Sequence, residues 1–483
     1  MSNRCDRAPL AVVLMLAASA LASCKTVGPD FTPPPPPAVP GYLMSGDVPA
    51  SQVVSLQPDA HLAGAWWKSF GSADLDRVMD QALAGNQTIA AANASLERLR
   101  DLAAVAHAAQ LPQVDINAGL TGERINIASL GFSGFPNPTL GLYSIGGSVS
   151  YDTDLFGGLR RTTEAARAQA ESQARQADAA YLTLTGQVTM AALQIATVRA
   201  QIAATEATVA DDQQVIQMVH NAEAAGGEPA SATVSGEAQL AADEALLPPL
   251  RQQLSQARHA MAQLVGEAPA NWTAPDFDLA SFTQPGEVPV SLPSALVRHR
   301  PDILAAEANL HIATADVGVA SAALYPDIRL TANITQTAIP PANLITYAAS
   351  GWTLAAGLTQ PLFHGGALRA EKHAAEAEAR VALAQYRGTV LNAFTQVADV
   401  MESITQDEAE LAALDHAERV AAKAVKDDEA AFKLGGGPLL PVLDDERRLA
   451  MARRARVMAQ GKRLADIAEL YVATGADWRS AGS

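Results

Sequence analysis

Large apolar residues recur seven apart through residues 159–220, at Tyr181, Val188, Ile195, Ile202, Val209 and Ile216. That spacing predicts a very long helix with a coiled-coil-like seam. The stretch has no proline and a single glycine, Gly186, and is rich in Ala, Gln, Arg, Glu and Leu, all good helix formers. At about 1.5 Å per residue, roughly 62 residues run on the order of 90 Å, longer than a globular core encloses. Residues 368–432 repeat the pattern, with Gly388 as the single glycine. Their seam is Leu383, Val390, Val397, Ile404, Leu411, Val425 and Phe432, interrupted by Glu418.

Between these runs the period changes from seven to two. Val114, Ile116, Ala118 and Leu120 alternate with polar residues, and Ile145, Val149 and Tyr151 do the same in residues 143–154. Residues 125–142 between them are rich in Gly, Ser and Pro, so the segment predicts a hairpin. Residues 325–336 and 346–362 predict a second hairpin around Pro340-Pro341. The two halves superpose by offset: Leu96 with Leu310, Pro112 with Pro326 and Thr121 with Thr335 are each 214 apart, while Val188 with Val397 and Ile195 with Ile404 are 209 apart. The chain is therefore a duplication of a unit of about 200 residues, too long a period for a solenoid. Each half predicts a short helix (86–110 in the first), a hairpin, a long helix, a glycine-rich turn and a medium helix. The turns are residues 223–229 and 434–441. The medium helices are residues 230–265, with a kink expected at Pro248-Pro249, and 440–474.

The start of the chain adds a destination. Arg4 and Arg7 precede a short apolar run, residues 10–21, which is too short for a permanent span. It ends in Leu21-Ala22-Ser23-Cys24, which resembles the lipobox of bacterial lipoproteins and implies acylation of Cys24 after cleavage before it. Lys25 in place of aspartate implies the outer membrane. Pro33 to Pro37 predict an extended tether between lipid and body. Trp66-Trp67-Lys68-Ser69-Phe70 opens the folded part, and its tryptophans are expected to pack a small core. With Cys5 in the leader and Cys24 acylated, the mature chain has no disulfide. A formal net charge of −17 offers no footprint for nucleic acid.

Four strands cannot close a barrel, and open strand edges cannot sit in lipid. Each strand is about ten residues, the span of an outer membrane. Closure then needs several chains, and three supply twelve strands. The two hairpins are expected in separate places. A soluble sheet covered on one face is the competing arrangement for the same alternation.

These features together resemble the TolC-like outer-membrane efflux factors, in particular the lipoprotein branch serving multidrug pumps. The resemblance rests on Cys24, on residues 66–70, on Leu296-Val297-Arg298-His299-Arg300-Pro301-Asp302-Ile303, on Tyr325-Pro326, on Gln360-Pro361-Leu362-Phe363 and on Val442-Leu443-Asp444. It implies an α+β membrane protein. Three chains would share a twelve-stranded outer-membrane barrel, continued by a periplasmic tunnel of long helices. It implies a passive exit channel for small toxic compounds in a tripartite efflux system. The partners would be a periplasmic adaptor and an inner-membrane RND-type transporter. An exit duct for secreted protein and a pore-less periplasmic coiled-coil scaffold are the alternatives. The implied organisation is leader 1–23, anchored tether and equatorial segment 24–85, first repeat 86–266, equatorial segment 267–300, second repeat 301–474 and tail 475–483. The family closes its tunnel at the periplasmic tip. By position the residues here are Leu440 as apolar constriction, Asp444 as charged ring and Arg447 as tether. A second family acid upstream of Asp444 is replaced by Pro441, with Thr233 as its first-half counterpart. The Arg300-Pro301-Asp302 element reads as structural, with proline in a first helical turn and an acid favouring the helix dipole. Among nine histidines none has the H-E-x-x-H spacing, and the chain has no P-loop and no G-x-S-x-G. The chain therefore reads as a non-enzyme without cofactor beyond the lipid at Cys24.

Overall fold

The computed structural model describes residues 26–47, 54–57, 64–126, 137–285, 288–291 and 293–476. Cys24, residues 1–23, where a leader is expected, and residues 477–483 lie outside the described residues. The element order is β1 Val54–Gln57, α1 Ala73–Gly85, α2 Gln87–Ala108, β2 Gln113–Arg124, β3 Thr139–Asp152, α3 Gly158–Ala224, α4 Ala230–Glu244, α5 Leu247–Val265, β4 Val288–Ser291, α6 Pro293–Leu296, α7 Pro301–Ala322, β5 Asp327–Ala338, β6 Ser350–Thr359, α8 Ala367–Lys433 and α9 Leu439–Ala473. Two compact units result, one of residues 26–34, 95–174 and 305–386, the other of 35–94, 175–304 and 387–476. Among the described residues no helix is long and apolar enough to cross a membrane.

The duplication survives in the elements. α2 and α7 start 214 apart, as do β2 and β5, while α3 and α8 start and end 209 apart. Both long helices have 67 residues.

In the first unit the four long strands form one antiparallel sheet in the order β2-β3-β5-β6. The two hairpins are thus not in separate places. They join edge to edge through β3 and β5, with Tyr151 opposite Leu330 and Ser148 opposite Asn333. A hairpin alone is marginal, and the junction lets the inner strands satisfy both backbone edges. Residues directly opposite share a face, so the registers sort the sheet into two faces. Ile116, Gly147, Ile334 and Trp352 form one cross-strand row, and Val114, Val149, Ala332 and Leu354 the next on the same side. Asp115, Ser148, Asn333 and Thr353 form a row on the other. β2 and β6 are exposed along their whole length.

The same unit holds the start of the described chain. Val27 N–H donates to the Phe156 carbonyl, and Arg161 donates from Nε to the Val27 carbonyl and from Nη2 to Asp30 at 2.7 Å. Phe31 stacks on His311. The chain is therefore fixed to the body before Pro33, ahead of the prolines expected to act as a tether. Asp154, with φ +45°, turns the chain into α3, and its carboxylate accepts from the Leu159 and Arg160 amides.

The second unit is built on the tryptophans. Trp66 and Trp67 are buried, and Trp66 stacks on Tyr471 at 5.1 Å. α1, which the sequence reading did not identify, buries Leu75, Val78, Met79 and Ala82. Asn86 separates it from α2 and caps α2 by accepting from Thr88 and Ile89. β1 and β4 pair in parallel. Pro248 and Pro249 break the expected medium helix in two rather than kinking it, because they stand in the first turn of α5, where their missing amide costs nothing. Arg300 donates to Asp302, Gln396 and the Ala473 carbonyl, and Pro301 opens α7, which makes the element structural.

Candidate functional site

Each long helix ends in the same turn. Gly226 and Gly435 both have φ +74°, Gly227 donates to the Ala222 carbonyl and Gly436 to that of Ala431. This is the glycine-capped stop that needs a left-handed residue. Pro229 and Pro438 then precede α4 and α9.

The first turns of α9 carry two faces. Leu439 and Val442 are buried with Val215 and Val219 of α3, beside Phe432 and Leu443. Leu440, Asp444 and Arg447 share the opposite, exposed side, four and three residues apart on one helix. Leu440 is 70% exposed. Asp444 lies 3.3 Å from Arg447 and 3.8 Å from Arg448. The structure thus brings the three sequence-derived residues together on one face of one chain. The hydroxyl of Thr233 is taken up by the Glu223 carboxylate, so it does not stand free in place of the missing acid.

Behind this face lies a cluster that the sequence reading missed. The seam of α3 is apolar at Val188 and Ile195, but beyond Val198 its buried positions are Thr205, Thr208, Asp212, Val215 and Val219. Ile202, Val209 and Ile216, which the sevenfold pattern places in the seam, are only half-buried. Thr205, Asp212 and Val219 are themselves seven apart, the signal a search for apolar residues alone passes over. Asp212 is 6% exposed, and its Oδ2 has no hydrogen-bond partner among the described residues. It lies beside the buried carboxyl of Asp243 in α4. Asp243 is also held by Arg454 Nη1 at 2.9 Å and by Gln239. Asp211 pairs with Arg453 at 2.9 Å. Burial first, then the charges of Asp243 and Glu446, push Asp212 up to about 7. Burial, Asp211 and Glu429 push buried Glu446 up to about 7 as well, against the opposing pull of Arg453.

A second polar position interrupts the seam of α8. Asp407 is buried there, bound by Lys462 and beside Asp466, which burial and this neighbour raise to about 7. Both sites follow one rule: a carboxyl in a helix seam is tolerated when it shares a proton or meets a cation.

The chain matches the family model described as outer membrane efflux protein over residues 78–267 and 292–476. It is 30% identical over 450 residues to the pyoverdine export outer membrane protein OpmQ of Pseudomonas aeruginosa, covering 92% of this chain and 94% of the relative. It is 25% identical to the probable outer membrane lipoprotein SilC of Salmonella typhimurium, over 95% and 96% of the two chains. Among solved structures, that of the outer-membrane channel OprN superposes with a TM-score of 0.85 at 26% identity, over 94% of this chain and 100% of that one.

Proposed function

The chain belongs to the outer membrane efflux protein family, and from that premise we propose that three copies assemble into one exit duct. It is the outer-membrane channel component of an efflux system. In the proposed assembly the strands near Val114, Ser148, Leu330 and Leu354 supply one third of a twelve-stranded barrel, and the long helices line a periplasmic tunnel. The duct is passive. A periplasmic adaptor and an RND-type inner-membrane transporter deliver small toxic compounds to it, as expected of a chain without catalytic motifs. Cys24 carries the lipid, two residues before the point where the described chain is fixed to the body at Thr26 and Val27; the lipoprotein relative supports this. Leu440, Asp444 and Arg447 form the constriction at the tip. The implied boundaries are leader 1–23, repeats 86–266 and 301–474, and equatorial segments 24–85 and 267–300.

The observation that carries this reading is the four-stranded sheet. It has an apolar and a polar face, and its outer strands β2 and β6 each pair on one side only. Such edges are unstable in lipid and invite pairing with another copy. The test is purified protein in detergent and then in planar bilayers. A heat-labile trimer with stepwise conductance is expected; a monomer without conductance would overturn the reading. A mature chain starting at any residue other than Cys24 would end the lipid assignment.

A further inference from the structure

The carboxyls behind the tip have no part in the constriction, yet Asp212, Asp243 and Glu446 are buried where neighbouring helices meet. α3 contributes Asp211 and Asp212, α4 contributes Asp243, and α9 contributes Glu446 together with Arg453 and Arg454. Glu429 of α8 faces Glu446 and is neutralised by Lys433. Four carboxyls thus meet two guanidinium groups. The arginines are committed to Asp211 and Asp243, which leaves Asp212 and Glu446 without a cation of their own. Asp212 and Asp243 are buried beside one another, and close carboxylates repel, so a proton is favoured on Asp212, the one without a cation. The orphaned Oδ2 of Asp212 has the same consequence: buried, it is tolerable on a neutral acid and costly on an anion.

We propose that Asp212 and Glu446, packed around the Asp243–Arg454 pair, form a proton-dependent clasp between α3, α4 and α9, which packs the helices when the two are protonated and loosens them when they are ionised. The sign follows from the chemistry. Burial and neighbouring acids raise Asp212 and Glu446 in the packed state from the ordinary carboxylate range to about 7. A carboxyl raised on packing stabilises the packed state at low pH, and that contribution is lost as pH rises through the raised value. The bundle behind the tip is therefore tightest below pH 6 and loosest above pH 8. The clasp does not depend on Leu440, Asp444 and Arg447 being the constriction, because its readout is helix packing, not conductance.

The test is peptide-resolved hydrogen–deuterium exchange on the full-length, detergent-solubilised protein at pH 6 and pH 8, corrected for the chemical exchange rate. Peptides spanning residues 205–219, 236–246 and 442–452 should show opening equilibria that rise about tenfold per titrating carboxyl between the two pH values. Asp212→Asn with Glu446→Gln keeps the shape and removes the charge, so these peptides should stay protected at both. Peptides around Asp407 and Asp466 should keep their own response, which localises the effect. A wild-type protein without a pH step in the three peptides overturns the clasp, as does a double variant that retains the full step. Infrared difference spectra of the wild type give a second reading that does not need the double variant to fold. The band of protonated carboxyls should grow from pH 8 to pH 6, and less so in Asp212→Asn; equal growth in both also overturns it.

Discussion

The two tips of the duplication have the same backbone and different side chains. α3 and α8 end 209 residues apart, in turns with the same glycine φ and the same closing hydrogen bonds. Leu440, Asp444 and Arg447 of the second tip correspond by that offset to Ser231, Ser235 and Ala238 of the first. The buried side differs the other way round: Asp243 of α4 corresponds to Ala452 of α9. Glycine and proline thus specify the turn, since only they meet its backbone demands, and the remaining positions of each copy were free to diverge. The second tip carries Leu440, Asp444 and Arg447 on its exposed face where the first has Ser231, Ser235 and Ala238. The first contributes the buried acid that the second copy must neutralise with Arg454.

The largest effect expected from breaking this asymmetry is at Arg454. Arg454→Ala leaves Asp243, whose side chain is 4% exposed, without its cation. Removing one partner of a buried pair costs about 3–5 kcal/mol. Amides of α4 should lose protection on that scale at pH 8, while those closing the turn at Gly435 keep theirs. A loss below about 1 kcal/mol at pH 8 would mean the pair behaves as a surface contact.

Next in size is the contrast between the two exposed faces. On the proposed reading, Leu440→Ala with Asp444→Ala removes both the apolar plug and the charged ring. Resting conductance in planar bilayers should rise severalfold, and bulky antibiotics such as vancomycin should gain entry. The matched change at the first tip, Ser231→Ala with Ser235→Ala, should leave both readouts at wild-type values. Equal leakage from the two double variants, at normal trimer levels, would show that closure does not lie in the second tip.

Much of this was legible because helices and strands announce themselves by period. Val188, Ile195, Val390, Val397 and Ile404 are buried at the positions that the sevenfold spacing assigned them, and the strands fall within a few residues of the alternating segments. The offsets of 214 and 209 carried the second half from the first. What escaped has physical reasons. The pairing of β3 with β5 joins segments some 180 residues apart, as in Tyr151 with Leu330, and no local pattern encodes it. Leu75, Val78, Met79 and Ala82 have helical spacing, but the element is short and lies beside the tryptophans that drew the reading. Asp212 escaped because the seam was traced by large apolar residues alone. In a helix seam position outweighs polarity, provided neighbours supply a proton or a cation. The face shared by Leu440, Asp444 and Arg447 follows from their spacing, which the helix makes adjacent.

The smallest effect is the most discriminating for the charged part of the constriction. Asp444 and Arg447 are 46% and 53% exposed in the single chain, at 3.3 Å, and Arg448 stands ready as a second cation at 3.8 Å. A solvated pair three residues apart on a helix is worth about 0.3–0.5 kcal/mol, so Arg447→Ala should raise resting conductance by about twofold. The first tip, with Ala238 at this position, already lives without such a pair. Because water screens it, the difference between variant and wild type should shrink as salt rises from 0.1 to 1 M and the Debye length falls from about 10 to about 3 Å. Three Asp444 carboxylates brought near one axis would strengthen the pair, since each then repels the others and gains more from its arginine. A conductance change well above twofold that persists in 1 M salt would therefore mark a dry, closed ring. A change of twofold that vanishes in salt marks a wet one, in which Leu440 does most of the closing. No change at 0.1 M, even when Arg448→Ala is added, would remove the arginines from the constriction altogether.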